Sequence, residues 1–353
     1  MKPQVKTQMK SILLSSLLIS PVLAQAAELE QQMLRCAVIG DASARLGCFD
    51  VLAKTAAAIT VATGVSVAES TAEVALVVPA VATAKAAPPE SAISRTTQRW
   101  ELDDASKRGV FAFRPHRDNY LLLANYSNAS NDEPFKEFTP GGIKSQHVEL
   151  TYQLSFKMKL AEKLLNTPID IWLGYTQQSF WQAYNRAASS PFRETNYQPE
   201  VMAVLPINKS IGGVDFKYVN LGMVHQSNGQ TSTLSRSWNR IYAELGVERG
   251  NFALATRLWR RLDNSKSDND NIDITDFMGH GDVRATYRNL GHEYSLTARR
   301  NFHTGHGSIQ AGWAFPVSAN LKGYAQVFSG YGQSLIDYNY SQKSLGGGFM
   351  LDF

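Results

Sequence analysis

The sequence predicts an all-β protein: a 12-stranded antiparallel transmembrane β-barrel, preceded by a short helical, disulfide-bonded N-terminal segment and a linker. Three observations predict it. The 353 residues are 44% apolar, 19% charged and 10% aromatic, too aromatic for a disordered chain. No charge-free apolar run past residue 26 reaches the roughly 20 residues that a spanning helix requires: 55–68 and 74–84 are short and diluted by Thr, Gly64 and Pro79. The second half instead alternates apolar and polar residues with a period of two, between turn signals. A mean hydropathy of −0.23 suits a soluble protein, but it suits a barrel equally, because only every second strand residue meets lipid. With 35 Lys and Arg against 31 Asp and Glu, a net charge of +4, no nucleic-acid partner is expected.

The elements follow in chain order. Residues 1–26 form a secretory signal peptide: Lys2, Lys6 and Lys10 precede an apolar stretch at 12–23, and Ala24-Gln25-Ala26 is a small-x-small cleavage site. Residues 27–54 form a periplasmic N-terminal segment. It holds Cys36 and Cys48, the chain's two cysteines, which pair in an oxidising compartment; closing so small a loop is worth about 3 kcal/mol on the chain-entropy model. Residues 55–96 form an Ala/Pro-rich linker. Between 55 and 90 there are 12 alanines and no aromatic residue, a composition that builds no specific core. Residues 97–353 form the folded body.

That body divides into twelve strand units, at about 120–127, 146–161, 168–184, 196–207, 212–227, 237–248, 251–263, 277–288, 291–302, 304–315, 318–328 and 341–353. The unit at 251–263 shows the pattern, with Phe252, Leu254, Thr256 and Leu258 on one face and Ala253, Ala255 and Arg257 on the other. The final strand alternates Leu345, Gly347, Phe349, Leu351 and Phe353. A terminal aromatic on an amphipathic last strand resembles the signal that outer-membrane assembly machinery recognises. With a signal peptide and no apolar helix, it favours a barrel in the outer membrane over a soluble β-sandwich.

The chemistry lies in the window 221–240. Leu221, Met223, His225 and Ser227 are spaced by two and project from one face of their strand. Across the polar loop 230–234, Asn239, Ile241, Ala243, Leu245 and Val247 form the apolar face of the next strand, opposite Trp238, Arg240, Tyr242 and Glu244. His225, Ser227 and Asn239 therefore sit on outward apolar stripes. Polar groups there cost free energy unless they satisfy one another or serve a purpose. A hydroxyl, an imidazole and a carboxamide can do both, the imidazole taking the hydroxyl proton and the amide oxygen fixing its tautomer. The alternative is that all three lie above the hydrocarbon boundary, as ordinary strand-top residues.

The run His225-x-Ser227-Asn228-Gly229, followed by Ser235-Arg236-Ser237-Trp238-Asn239-Arg240, resembles the signature of the outer-membrane phospholipase A family, bacterial 12-stranded barrel esterases. Stretches at 174–177, 189–197, 324–331 and 334–338 agree, and the resemblance covers about 97–353. It implies Ser227 as nucleophile, His225 as general base and then acid, Asn239 as orienting partner, and the Gly229 backbone N–H as oxyanion donor beside water polarised by bound Ca²⁺. It implies a calcium site formed by the Gln230 carbonyl and the Ser235 hydroxyl of one subunit and the Ser189 carbonyl of the other, so that catalysis depends on a homodimer. Gln177 resembles the family's amide that bonds across the dimer face; as a residue alone it is simply a polar lumen or lipid-face side chain. The family commonly carries Asp where this chain has Ser232. That leaves Asp270, in the acidic run 268–273, as the carboxylate candidate, although such a run is ordinarily a solvated loop. The activity implied is calcium-dependent hydrolysis of the sn-1 and sn-2 esters of membrane glycerophospholipids and lysophospholipids. The alternative is a non-enzymatic barrel, a small porin or an adhesion module.

Overall fold

The computed structural model describes residues 94–137, 144–262 and 270–351, and in the N-terminal segment positions 35, 36, 39, 41, 44, 47, 48 and 51. The stretches read as signal peptide and, up to residue 93, as linker lie outside the described residues. The chain divides into two units, 1–86 and 87–353. In the first, Arg35 and Cys36 are helical, as are Ala44, Gly47, Cys48 and Val51. The Asp41 carboxylate accepts the Ala44 N–H at 2.8 Å, a helix N-cap, and Cys36 is disulfide-bonded to Cys48 with Cα atoms 5.6 Å apart.

The second unit opens with helix α1 (Arg95–Trp100), capped by the Ser94 hydroxyl. It thus starts just inside the stretch read as linker to residue 96. Thirteen strands follow: β1 (Phe113–Pro115), β2 (Asn119–Ser127), β3 (Val148–Ala161), β4 (Asp170–Trp181), β5 (Phe192–Ile211), β6 (Val214–Ser227), β7 (Ser237–Arg249), β8 (Phe252–Arg261), β9 (Gly281–Asn289), β10 (His292–Arg300), β11 (Gly307–Pro316), β12 (Leu321–Tyr331) and β13 (Ser341–Leu351). Strands β2 to β13 pair antiparallel in chain order, and β13 returns to β2 with Phe349 opposite Leu121. This closes a 12-stranded barrel and removes every long edge. The short β1 is additional, laid beside β3.

The barrel departs from the predicted spans at its loop ends. The unit predicted from 277 begins instead at Gly281, because Ile274–Met278 forms helix α2, which tucks Ile274 and Met278 inward. The unit predicted from 304 begins at Gly307, because the Asn301 carboxamide accepts the His303 and Thr304 N–H groups and holds a tight turn. The turns at one end are brief. Gly212 and Gly213, both at positive φ (59° and 77°), join β5 to β6 as a two-residue hairpin. Long connections gather at the other end, the asymmetry of outer-membrane barrels.

Burial is inverted relative to a soluble protein. The outer wall exposes Leu154, Leu221, Met223, Leu258 and Leu345, each at least half accessible, whereas Lys157, Lys159 and Asp337 in the lumen are fully buried. An apolar surface of this extent is explained by lipid as its solvent. The lumen is partly filled, around a polar cavity of about 1130 Å³ that Arg99, Tyr120, Arg257 and Arg284 help to line. Trp100 of α1 packs against Trp172 and Tyr218, beneath the Lys157 ammonium, which lies 3.2 Å from its ring centroid. Just beyond α1, Glu101 is buried among Arg114, Arg108 and Lys159. Burial opposes its ionisation, but hydrogen bonds from Lys159 and Arg114 outweigh that and hold the carboxyl below its usual range.

Candidate active site

The site stands at the loop-bearing end of the β6–β7 hairpin. Strand register sets it: His225 lies opposite Asn239 and Ser227 opposite Ser237, while on the other side Ser227 lies opposite Tyr197 of β5. Side chains at Leu221, Met223, His225 and Ser227 share the outward face, and the intervening Val224 is buried in the lumen. His225 is exposed and its Nδ1 lies 2.8 Å from Asn239 Oδ1. A carboxamide oxygen can only accept, so Nδ1 carries the proton and Nε2 is left as the basic nitrogen. The Ser227 hydroxyl, two residues up the same face, makes no hydrogen bond to the ring among the described residues. Such contacts commonly tighten only when substrate is bound.

Beside His225 and Asn239 the wall is hollowed into a groove of about 490 Å³, with Leu173, Pro199, Val201 and Met223 on its sides and Leu262 at its rim. Its walls are apolar, and it opens outward, where the basic nitrogen can be reached.

The loop after Ser227 is shaped by Asn228, whose side chain points inward and is 2% exposed. Its Oδ1 accepts the Arg236 and Gln230 N–H groups at 2.9 and 3.3 Å, and its Nδ2 donates to the Leu234 carbonyl at 2.8 Å. Gly229 follows at φ 64°, with the Tyr197 ring 3.2 Å from where a Cβ would stand. The positive φ favours glycine there, and a Cβ would press on the Tyr197 ring. If the Gly229 N–H serves an oxyanion, as the resemblance implies, Gly229→Ala is expected to retain the barrel while lowering kcat about 10²-fold; steady-state ester hydrolysis in detergent checks this.

The residues proposed to hold calcium divide into two groups. Ser235 and Asp270, distant in sequence, are brought together: the Ser235 hydroxyl donates to the Asp270 carboxylate. Gln230 lies on the same loop, five residues before Ser235. Ser189 belongs to another turn, between β4 and β5, where it sits at φ 59°, and among the described residues no contact joins it to the other three. Gln177 is half-buried on the outer face of β4, where its amide bonds Tyr175 and Ser179 at 3.1 and 3.3 Å. The donor set around Ser235 is entirely oxygen, as a hard cation requires. Among the described residues there is no cluster of three or more His, Cys, Asp or Glu that could hold a metal.

Two residues that alternation alone did not pick out support this site. The buried Asn271 accepts the Ser237 N–H at 3.0 Å and so pins the Asp270 segment to the start of β7. Glu194, buried in the lumen, reaches Asn228. Their signal in sequence was weak, since inward polar residues are the norm in a barrel.

Residues 96–351 match the family model described as phospholipase A1. The chain belongs to the phospholipase A1 family. It is therefore an enzyme, a carboxylic ester hydrolase on an outer-membrane barrel, and the non-enzymatic alternative falls. A Neisseria meningitidis protein named as a candidate phospholipase A1 is 41% identical over 263 residues, which span 72% of this chain and 69% of the relative. Among solved structures, the outer membrane phospholipase A of Escherichia coli superposes with a TM-score of 0.66 at 33% identity, over 71% of this chain and 95% of that one. The Salmonella typhi outer membrane phospholipase, solved as a dimer with bound calcium, gives 0.66 at 34% identity over the same shares.

Proposed function

We propose that this phospholipase A1 hydrolyses the sn-1 and sn-2 acyl esters of glycerophospholipids and lysophospholipids with a Ser227–His225–Asn239 triad, depends on Ca²⁺, and is active as a homodimer. The observation that carries the reading is the 2.8 Å bond between His225 Nδ1 and Asn239 Oδ1 on the lipid-facing wall. It supports Nε2 as the base for an outward hydroxyl. Ser227 Oγ attacks the ester carbonyl as His225 takes its proton, and the Gly229 N–H donates to the oxyanion. The proton passes from His225 to the leaving lysophospholipid alkoxide; water deprotonated by His225 then attacks the acyl–Ser227 ester, and His225 returns that proton to Ser227 Oγ as the fatty acid leaves.

The apolar groove beside His225 supports lateral entry, with acyl chains lying along the wall. Gln230, Ser235 and Asp270, with Ser189 of the partner subunit, would hold calcium. Bound there, calcium would supply positive charge near the developing oxyanion. Gln177 would bond across the dimer face. The S. typhi neighbour, a calcium-bound dimer, supports both parts of this reading. The N-terminal module, residues 27–54 with its disulfide, is read as periplasmic, tethered by the linker.

Asn is uncharged, so it orients His225 more than it stabilises an imidazolium. Asn239→Ala is expected to reduce kcat by about 10- to 10²-fold with KM nearly unchanged, a smaller loss than the ~10⁴-fold that follows when a triad carboxylate is neutralised. Hydrolysis of a diacyl phospholipid by the refolded protein in detergent tests this. Unaltered kcat would remove Asn239 from the mechanism.

A further inference from the structure

We propose that Glu194, buried on the lumenal side of β5, is a positioning residue for the hydrolysis: it holds Asn228, and through it the Gly229 N–H, from inside the barrel. The inference rests on Ser227 and Gly229 being the nucleophile and the oxyanion donor. The lumenal side chain of Asn228 stands between those two residues in the chain. Its oxygen is committed to the Arg236 and Gln230 N–H groups, which turns its NH₂ toward the Leu234 carbonyl and, at 3.4 Å, toward Glu194 Oε2.

Glu194 is itself 2% exposed. Its Oε1 accepts Asn196 Nδ2 at 2.6 Å and the Ile336 N–H at 3.1 Å, and Asn196 Oδ1 in turn accepts the Leu335 N–H at 2.9 Å. Leu335 and Ile336, each 1% exposed, belong to the β12–β13 connection folded into the lumen. Glu194 thus ties a packed internal loop to the strand end that bears the nucleophile.

All three contacts run from N–H donors into the carboxylate. A carboxylate accepts on both oxygens, so no other residue of this size serves all three. Replacing one oxygen by NH₂ in Glu194→Gln sets donor against donor, either at Asn228 or at the Asn196 and Ile336 pair. The Asn228 turn then shifts, and the Gly229 N–H shifts with it. Displacements of about 1 Å around reacting atoms cost on the order of 10²-fold in rate.

The test compares three variants of the full-length protein, refolded in detergent and scored for folded barrel by circular dichroism before kinetics on a diacyl phospholipid. Glu194→Gln is expected to lower kcat by roughly 10- to 10²-fold with KM within about twofold, and Glu194→Asp to recover part of that loss. Glu293→Gln breaks a lumenal pairing with Arg288 on strands not adjacent to β6 or β7 and is expected to leave kcat within about twofold. Wild-type kcat in Glu194→Gln overturns the inference, as does a loss that only tracks the folded fraction or is shared equally by Glu293→Gln. Ser227→Ala separates the layers: if it remains active, the reading of the nucleophile fails; if it is inactive while Glu194→Gln is unimpaired, only the role of Glu194 fails.

Discussion

Ser227→Ala is expected to lower ester hydrolysis by at least about 10³-fold while leaving the barrel folded and its lipid-facing wall intact. The size follows from the chemistry, because no covalent acyl intermediate can form without the hydroxyl, and what remains is binding and oxyanion stabilisation. Little structural cost is expected: Ser227 is half-buried on an outer strand end and its hydroxyl carries no hydrogen bond among the described residues. Ser237 supplies the control. It lies opposite Ser227 in the β6–β7 register and bears the same hydroxyl, yet it is two residues from Asn239 rather than from the imidazole. Ser237→Ala is expected to retain activity within severalfold. Equal losses in both variants would point to the polar strand ends as a group, not to a nucleophile.

Removal of calcium carries the next largest expected effect. Chelator added to the purified enzyme is expected to lower kcat by about 10²- to 10³-fold, the scale of losing one oxyanion-stabilising group, and restored calcium to recover it. If Ser235 is a ligand as proposed, Ser235→Ala should raise the calcium concentration needed for half-maximal activity, since its hydroxyl is the group that meets Asp270. If Ser189 is the partner's contribution, chelation should also shift the enzyme toward monomer in sedimentation. Full activity in chelator would separate this chain from the calcium-bound dimer it resembles in fold.

Much of the barrel was legible in the sequence, because a strand with lipid on one side and a polar lumen on the other writes its orientation into every second residue. That is why His225, Ser227 and Asn239 were placed outward from spacing alone, and why the contact of His225 with Asn239 across β6 and β7 followed once the loop was short. The connecting loops were less legible. Helix α2 holds Ile274 and Met278 by packing into the lumen, a tertiary effect that period-two reading does not register. The approach of Asp270 to Ser235 spans 35 residues, and its anchor, Asn271, is one of many polar residues in its loop. The supporting groups Asn228 and Glu194 face the lumen, where buried polar side chains are common and no alternation distinguishes a structural amide from one that serves the site. The roles proposed for Ser189 and Gln177 would depend on a second subunit and so leave no mark in the period of one chain.

The central claim is that a nucleophilic hydroxyl faces the membrane rather than the lumen. It is tested most directly by treating the enzyme, in detergent with calcium, with a long-chain p-nitrophenyl alkylphosphonate and locating the adduct by peptide mass spectrometry. The account predicts a single phosphonylated residue, Ser227, with labelling slowed in Asn239→Ala. Labelling of another residue, or stoichiometric inactivation with Ser227 unmodified, would contradict it.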